Sequence, residues 1–105
     1  MLSRVNVLET APHRIDDVAR VVREVVHPAI SAERGYVGYL VLGKRETGQA
    51  FGVTLWDGER DREMSDAAAR EIRPVVEAET GGVMRAVEQY DVLFLDLRPE
   101  IRHNV

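Results

Sequence analysis

The sequence has no cysteine, so it can build neither a disulfide framework, nor a thiol nucleophile, nor a zinc-thiolate centre. Lysine is nearly missing as well: Lys44 is the only one among 14 basic residues, which 18 acidic ones outweigh to give a formal charge of -4. Nucleic-acid affinity comes largely from basic side chains that neutralise phosphates, so this balance argues against a nucleic-acid partner. Long apolar runs are absent too. The longest, such as Val92 to Leu95, are far short of the roughly 20 residues of a bilayer span, so no membrane partner is expected. Met1 passes directly into an alternating pattern containing Asn6 and Glu9, unlike the basic and then apolar start of a secretory signal, and a cytoplasmic location is the expectation. What remains is an ordinary globular composition, 45% hydrophobic and 30% charged over 105 residues, which suits a single domain over residues 1–97 with a C-terminal tail over 98–105.

Strand and helix periods alternate along the chain. Ser3 to Glu9 sets Val5 and Val7 against Arg4, Asn6 and Leu8, the period of a strand. From Arg14 to His27, with room for an extra turn, Ile15, Val18, Ala19, Val22, Val25, Val26 and Ala29 form one helical stripe that Pro28 should kink or end. Tyr36–Gly43 and Ala50–Trp56 read as strands, and the five residues Lys44–Gly48 between them as a hairpin loop. A second helix follows Asp57, carries Met64, Ala67, Ala68, Ile72, Val75 and Val76, meets an interruption at Pro74 and ends at Gly81-Gly82. Met84 to Leu97 reads as a long last strand, bulged midway.

The order βαββαβ predicts an α+β, ferredoxin-like fold: a four-stranded antiparallel sheet with two helices on one face. Strict alternation puts Val5, Val7, Val37, Tyr39, Val41, Phe51, Val53 and Leu55 on one face, and Leu8, Leu40, Leu42, Thr54 and Trp56 on the other. Neither face is polar, and two helices cover only one. An exposed apolar sheet face marks an interface, so a homodimer is expected, joined through Val5, Val7, Tyr39, Phe51, Val53 and Leu55.

At this point the chain resembles the dimeric α/β-barrel superfamily, and within it the antibiotic biosynthesis monooxygenase-like family. The resemblance spans Ser3 to Leu97 and is carried by Gly35-Tyr36-Val37-Gly38, by Gly52-Val53-Thr54-Leu55-Trp56-Asp57 running into the second helix, and by Glu88-Gln89-Tyr90-Asp91-Val92. It implies two subunits sharing a barrel, each with a pocket between sheet and helices, and an oxygenase-like activity on a small aromatic polyphenol or polyketide-type molecule without a cofactor. Polyketide oxygenases of the family place an asparagine four residues before the tryptophan of the third strand; here those positions are Gly52 and Trp56. Haem-degrading relatives carry an asparagine on the first strand, matched by Asn6, but also a tryptophan and a histidine on the second helix, and Arg60 to Thr80 contains neither. The expected ligand-binding residues are Asn6, as polar anchor, with Leu40, Thr54, Trp56, Met64 and Ala68. A non-catalytic homodimer that binds a small molecule or a partner protein is the alternative.

Other chemistry has little support. His13, His27 and His103 lack the i, i+4 spacing of a helical metal site, so no metal is expected, although His27 could act as a base if it turned inward. Neither a phosphate-cradling glycine pattern nor a serine nucleophile elbow occurs.

Overall fold

The computed structural model describes residues 1–98, and the tail from 99 onward, with His103, lies outside the described residues. The chain forms β1 (Leu2–Glu9), a 3-10 turn (Pro12–Arg14), α1 (Ile15–Val21), a π-helical stretch (Val22–Val26), α2 (His27–Ile30), β2 (Tyr36–Lys44), β3 (Gln49–Trp56), α3 (Glu59–Met64), α4 (Asp66–Thr80) and β4 (Val83–Asp91). The strands make one antiparallel sheet in the order β2-β3-β1-β4. This is the expected ferredoxin-like arrangement, with each helical crossover broken into pieces.

The breaks have local causes. Pro28 has no N–H to give the carbonyl four residues back, and its ring crowds that carbonyl. The helix answers with the wider π winding over Val22–Val26 and resumes as α2. The second crossover breaks at Ser65, between α3 and α4, and not at Pro74, which lies inside a continuous α4. Pro74 and Arg70 are both exposed, so water can take up the carbonyl that the proline leaves unpaired. Gly81 closes α4 in the left-handed region (φ 69°). Gly48 closes the β2–β3 loop at φ 80°, where a Cβ would sit 1.9 Å from the Thr10 carbonyl oxygen, so only glycine fits.

Two corrections concern the strands. Lys44 pairs with Gln49, leaving a four-residue loop where five residues were expected. A four-residue loop sets odd-numbered residues of β2 opposite even-numbered ones of β3, and that single step turns β2 over. Leu40 now pairs with Val53 and Leu42 with Phe51, whereas Tyr39 pairs with Thr54 and Val41 with Gly52. Tyr39, expected at the subunit interface, therefore faces the helices; Leu40 and Leu42 join Val5, Val7, Phe51, Val53 and Leu55 on the outer face. The last strand also stops earlier than expected. β4 pairs along β1 as far as Asp91 opposite Leu2, and the Val92 N–H reaches the Met1 carbonyl at 3.0 Å. Leu93 to Leu97 has no strand partner among the described residues. The bulge does occur, at Arg85 opposite the Val7/Leu8 step.

The core lies between the inner sheet face and the helices. Leu8, Ala50 and Trp56 meet Ile15, Val18, Val21, Val26, Ile30, Ala69 and Val76 there.

Candidate functional site

Four residues of the first crossover line one wall of a cavity: Val18, Val22, Val26 and Ile30. Their spacing of four would drift by about 40° per step around a regular α-helix of 3.6 residues per turn. The π-helical stretch winds more slowly and takes out this drift, which keeps the stripe on one face. Ala69, Ile72, Arg73 and Val76 of α4 form the second wall, and the sheet supplies Arg4, Asn6, Leu8, Tyr39, Val41, Ala50, Gly52, Thr54 and Met84. The free volume, counted as positions a water centre can occupy, is about 60 Å³, several times the roughly 10–15 Å³ that one water requires in that measure.

The polar groups gather along the sheet. Asn6 is opposite Gly52, whose carbonyl accepts from Asn6 Nδ2 at 3.5 Å, and Asn6 Oδ1 accepts from Arg73 Nε at 3.4 Å. Both bonds are long, so the amide is lightly held. The Tyr39 phenol reaches over Gly52, its oxygen 3.4 Å from where a Cβ would be, the distance of van der Waals contact. Arg4, 1% exposed, donates from Nη2 to the Arg62 carbonyl (2.7 Å), to Ser65 Oγ (2.9 Å) and to Asp66 Oδ1. Burial lowers the Arg4 pKa and Asp66 restores part of it; an arginine starts so high that the guanidinium stays charged near neutral pH.

Burial favours the protonated form of the Tyr39 hydroxyl. Burial, with a smaller contribution from Tyr36, pushes its hydroxyl from the ordinary 10 up to about 12. Since the folded value is the higher one, the associated stability is intact below pH 10. It is lost as pH rises through the folded pKa, by at most about 1.4 kcal/mol per pH unit. Urea unfolding at pH 9 and pH 11 should therefore show a smaller stability drop for Tyr39→Phe than for the wild type; equal drops refute the assignment.

The structure brings two of the expected ligand residues, Asn6 and Thr54, to the cavity wall. Leu40 does not reach it, being 52% exposed on the outer face after the turnover of β2. Met64 is 70% exposed on α3, because the break at Ser65 rotates it off the buried stripe. Ala68 packs partly buried against the core, but the cavity-facing stripe of α4 begins one residue later, at Ala69. Trp56 is fully buried behind the cavity, and its Nε1–H donates to Thr54 Oγ1 at 2.9 Å. His27 packs edge-on against Tyr36 at 6.0 Å and is not on the cavity wall. Arg4, Tyr39 and Arg73 were not among the expected ligand residues. Arg4 had a visible signal, a charge on the same strand side as Asn6 and Leu8; Arg73 looked like any charged residue of a solvated helix. No group of three metal-ligating side chains occurs among the described residues, and no helix among them is long and apolar enough to cross a membrane.

No family model matches the chain, and no curated protein matches it significantly. Solved structures do. A monooxygenase from the gene ActVA-Orf6 of Streptomyces coelicolor, in complex with nanaomycin D, superposes with a TM-score of 0.72 at 12% identity, over 92% of this chain and 91% of that one. A variant of SnoaB, a cofactor-independent oxygenase from Streptomyces nogalater, gives 0.65 at 14% identity over 90% and 94%. A Nitrosomonas europaea protein of unknown function gives 0.66 at 16% identity over 92% and 93%. At these identities the likeness is one of fold: the chain has the ferredoxin-like fold of antibiotic biosynthesis monooxygenase structures over about nine-tenths of its length.

Proposed function

We propose that the cavity binds a small aromatic molecule, and that the protein is a cofactor-free, monooxygenase-like enzyme acting on a polyphenol or polyketide-type compound. The observation that carries this reading is an apolar cavity walled by Val18, Val22, Val26 and Ile30 on one side, with the Asn6 amide and Tyr39 hydroxyl on the sheet opposite. Apolar walls with a few convergent polar groups are the usual build of a small-molecule site. The fold shared with a cofactor-independent oxygenase supports it. In the proposed reaction an ionised, electron-rich substrate itself passes electrons to oxygen. For an anthrone, one ring CH2 and one O2 give one ring carbonyl and one water. The chain's share is to orient the ring between sheet and helices, hold the ionised oxygen and keep water out. The two subunits of a homodimer would each carry such a cavity.

The test is an oxygen electrode with metal-stripped protein and an anthrone. Uptake should saturate with substrate, consume one O2 per quinone formed, and fall at least tenfold in Asn6→Ala. A rate equal to buffer with both anthrone and hydroquinone refutes the oxygenase. The second reading, a non-catalytic homodimeric binding or interaction domain, is favoured by the placement of Trp56, which lies behind the cavity with its N–H already engaged by Thr54.

A further inference from the structure

The cavity wall is electrically one-sided. Two arginines, Arg4 and Arg73, are among the lining residues, and no aspartate or glutamate is. Asp66 pairs with Arg4 from outside this wall, through the same Nη2 that serves Arg62 and Ser65. The Arg4 Nε–H is left buried with no hydrogen-bond partner, and Arg73 makes no ion pair among the described residues; its one bond is the 3.4 Å contact with the Asn6 oxygen. A buried charged donor without an acceptor is costly, and of the two such donors among the described residues, Arg4 Nε and Arg62 Nε, only the first belongs to a residue of the cavity wall. The two cations also repel across the wall, Arg73 being one of the groups that depress the Arg4 pKa. A negative oxygen placed against them would satisfy the orphan donor and relieve the repulsion together.

We infer that the cavity selects an anion: a planar molecule bound through an ionised acidic oxygen, carboxylate or phenolate, that meets the unpartnered edge of Arg4 and the guanidinium of Arg73. The inference rests on the reading that the cavity holds a planar aromatic, and it names the chemistry by which that molecule is chosen. Arg4 is held for the task. Its Nη2 is tied to the α3–α4 junction, and its guanidinium carbon lies 5.7 Å from the Trp56 ring centroid, so the fork cannot swing away when the cavity is empty. Asn6, bonded to Arg73, is the neutral neighbour that can turn either its oxygen or its nitrogen to the ligand.

The test is calorimetric titration of the wild-type protein with two matched pairs: 2-naphthoate against 2-naphthamide, and 4-nitrophenolate against 4-nitroanisole. At least one anion should bind tenfold or more tightly than its neutral partner; which pair shows the preference tells carboxylate from phenolate. In Arg4→Met the preference should fall to within threefold while the neutral probe keeps its affinity. If Arg4→Met fails to fold, Arg73→Met on the half-buried face of α4 decides, with at least a threefold loss of preference expected. Equal affinities within both pairs overturn the inference and leave the aromatic cavity standing. A preference that survives both substitutions overturns the assignment to these arginines. No binding by any of the four at millimolar concentration overturns the cavity reading and this inference with it. Anion-selective binding without oxygen uptake supports the inference and removes only the oxygenase.

Discussion

Replacing Trp56 by alanine is expected to destabilise the protein by about 3–5 kcal/mol, the range for truncating a large buried aromatic. Three contacts fix the indole. Its fully buried ring stands edge-on to Tyr36 at 6.0 Å, lies under the Arg4 guanidinium, and donates its N–H to Thr54 Oγ1. Alanine removes all three and opens a void behind the cavity, where the pinned backbone of β3 between β1 and β2 cannot collapse to fill it. Trp56→Phe separates the contributions: it keeps most of the buried area and leaves the Thr54 hydroxyl without its donor, at a cost of about 1 kcal/mol. Urea unfolding followed by circular dichroism, at one fixed protein concentration, measures both. A loss under about 1 kcal/mol for alanine, well below the expected cavity penalty, would falsify the view that this residue closes the core. The same geometry changes what Trp56 can report. The indole is not on the cavity wall, so an emission change caused by a ligand there would pass through Arg4 or Thr54, which line the cavity and touch the ring.

Where the chain's signals were local, the sequence carried them to the structure. The alternation in β1 placed Val5 and Val7 outward and Asn6 and Leu8 inward, as found, because a central strand paired along both edges has little freedom to slip. The order of strands and helices followed from period changes, glycines and prolines in the same way. What escaped depended on counting across a gap. A hairpin loop of four residues or five fits Lys44 to Gly48 equally well by composition, yet the choice decides whether Tyr39 or Leu40 faces the cavity. Met64 and Ala68 missed it because the helical register was carried across Ser65, where the helix breaks. The Arg4 network joins residues about 60 positions apart on β1 and the α3–α4 junction. No window along the sequence holds both ends. Leu93 to Leu97 has the pattern of a strand, but the pairing ends with β1 at Leu2.

The outer sheet face leads to the second large expected effect: Phe51→Asp should convert a homodimer into monomers. Val5, Val7, Leu40, Leu42, Phe51, Val53 and Leu55 share that face, and Leu40 and Leu42 are half exposed or more. Four strands of about eight residues, spaced 4.8 Å apart with a 3.3 Å rise, project roughly 500 Å². A stable interface buries about 800 Å² per partner, so the sheet alone falls short. The unpaired continuation of β4 would supply what is missing: Leu93 is 94% exposed and Phe94 85%, large apolar side chains that the described residues leave uncovered. A second copy would offer both an equal apolar face and an equal extension, so that the proposed contact is self-complementary. Phe51 lies mid-sheet, paired with Val7 on one side and Leu42 on the other. A carboxylate there would be desolvated by association, at a cost of about 2–4 kcal/mol or roughly 30- to 1,000-fold in affinity. It would remain hydrated in the monomer, so the fold should survive. Sedimentation equilibrium should give twice the 11.8 kDa chain mass for the wild type and the single mass for the variant, with unchanged far-ultraviolet circular dichroism. A wild type that stays monomeric at tens of micromolar removes the dimer. A variant that stays dimeric moves the contact off this face, and the apolar residues of β2 and β3 then need another partner.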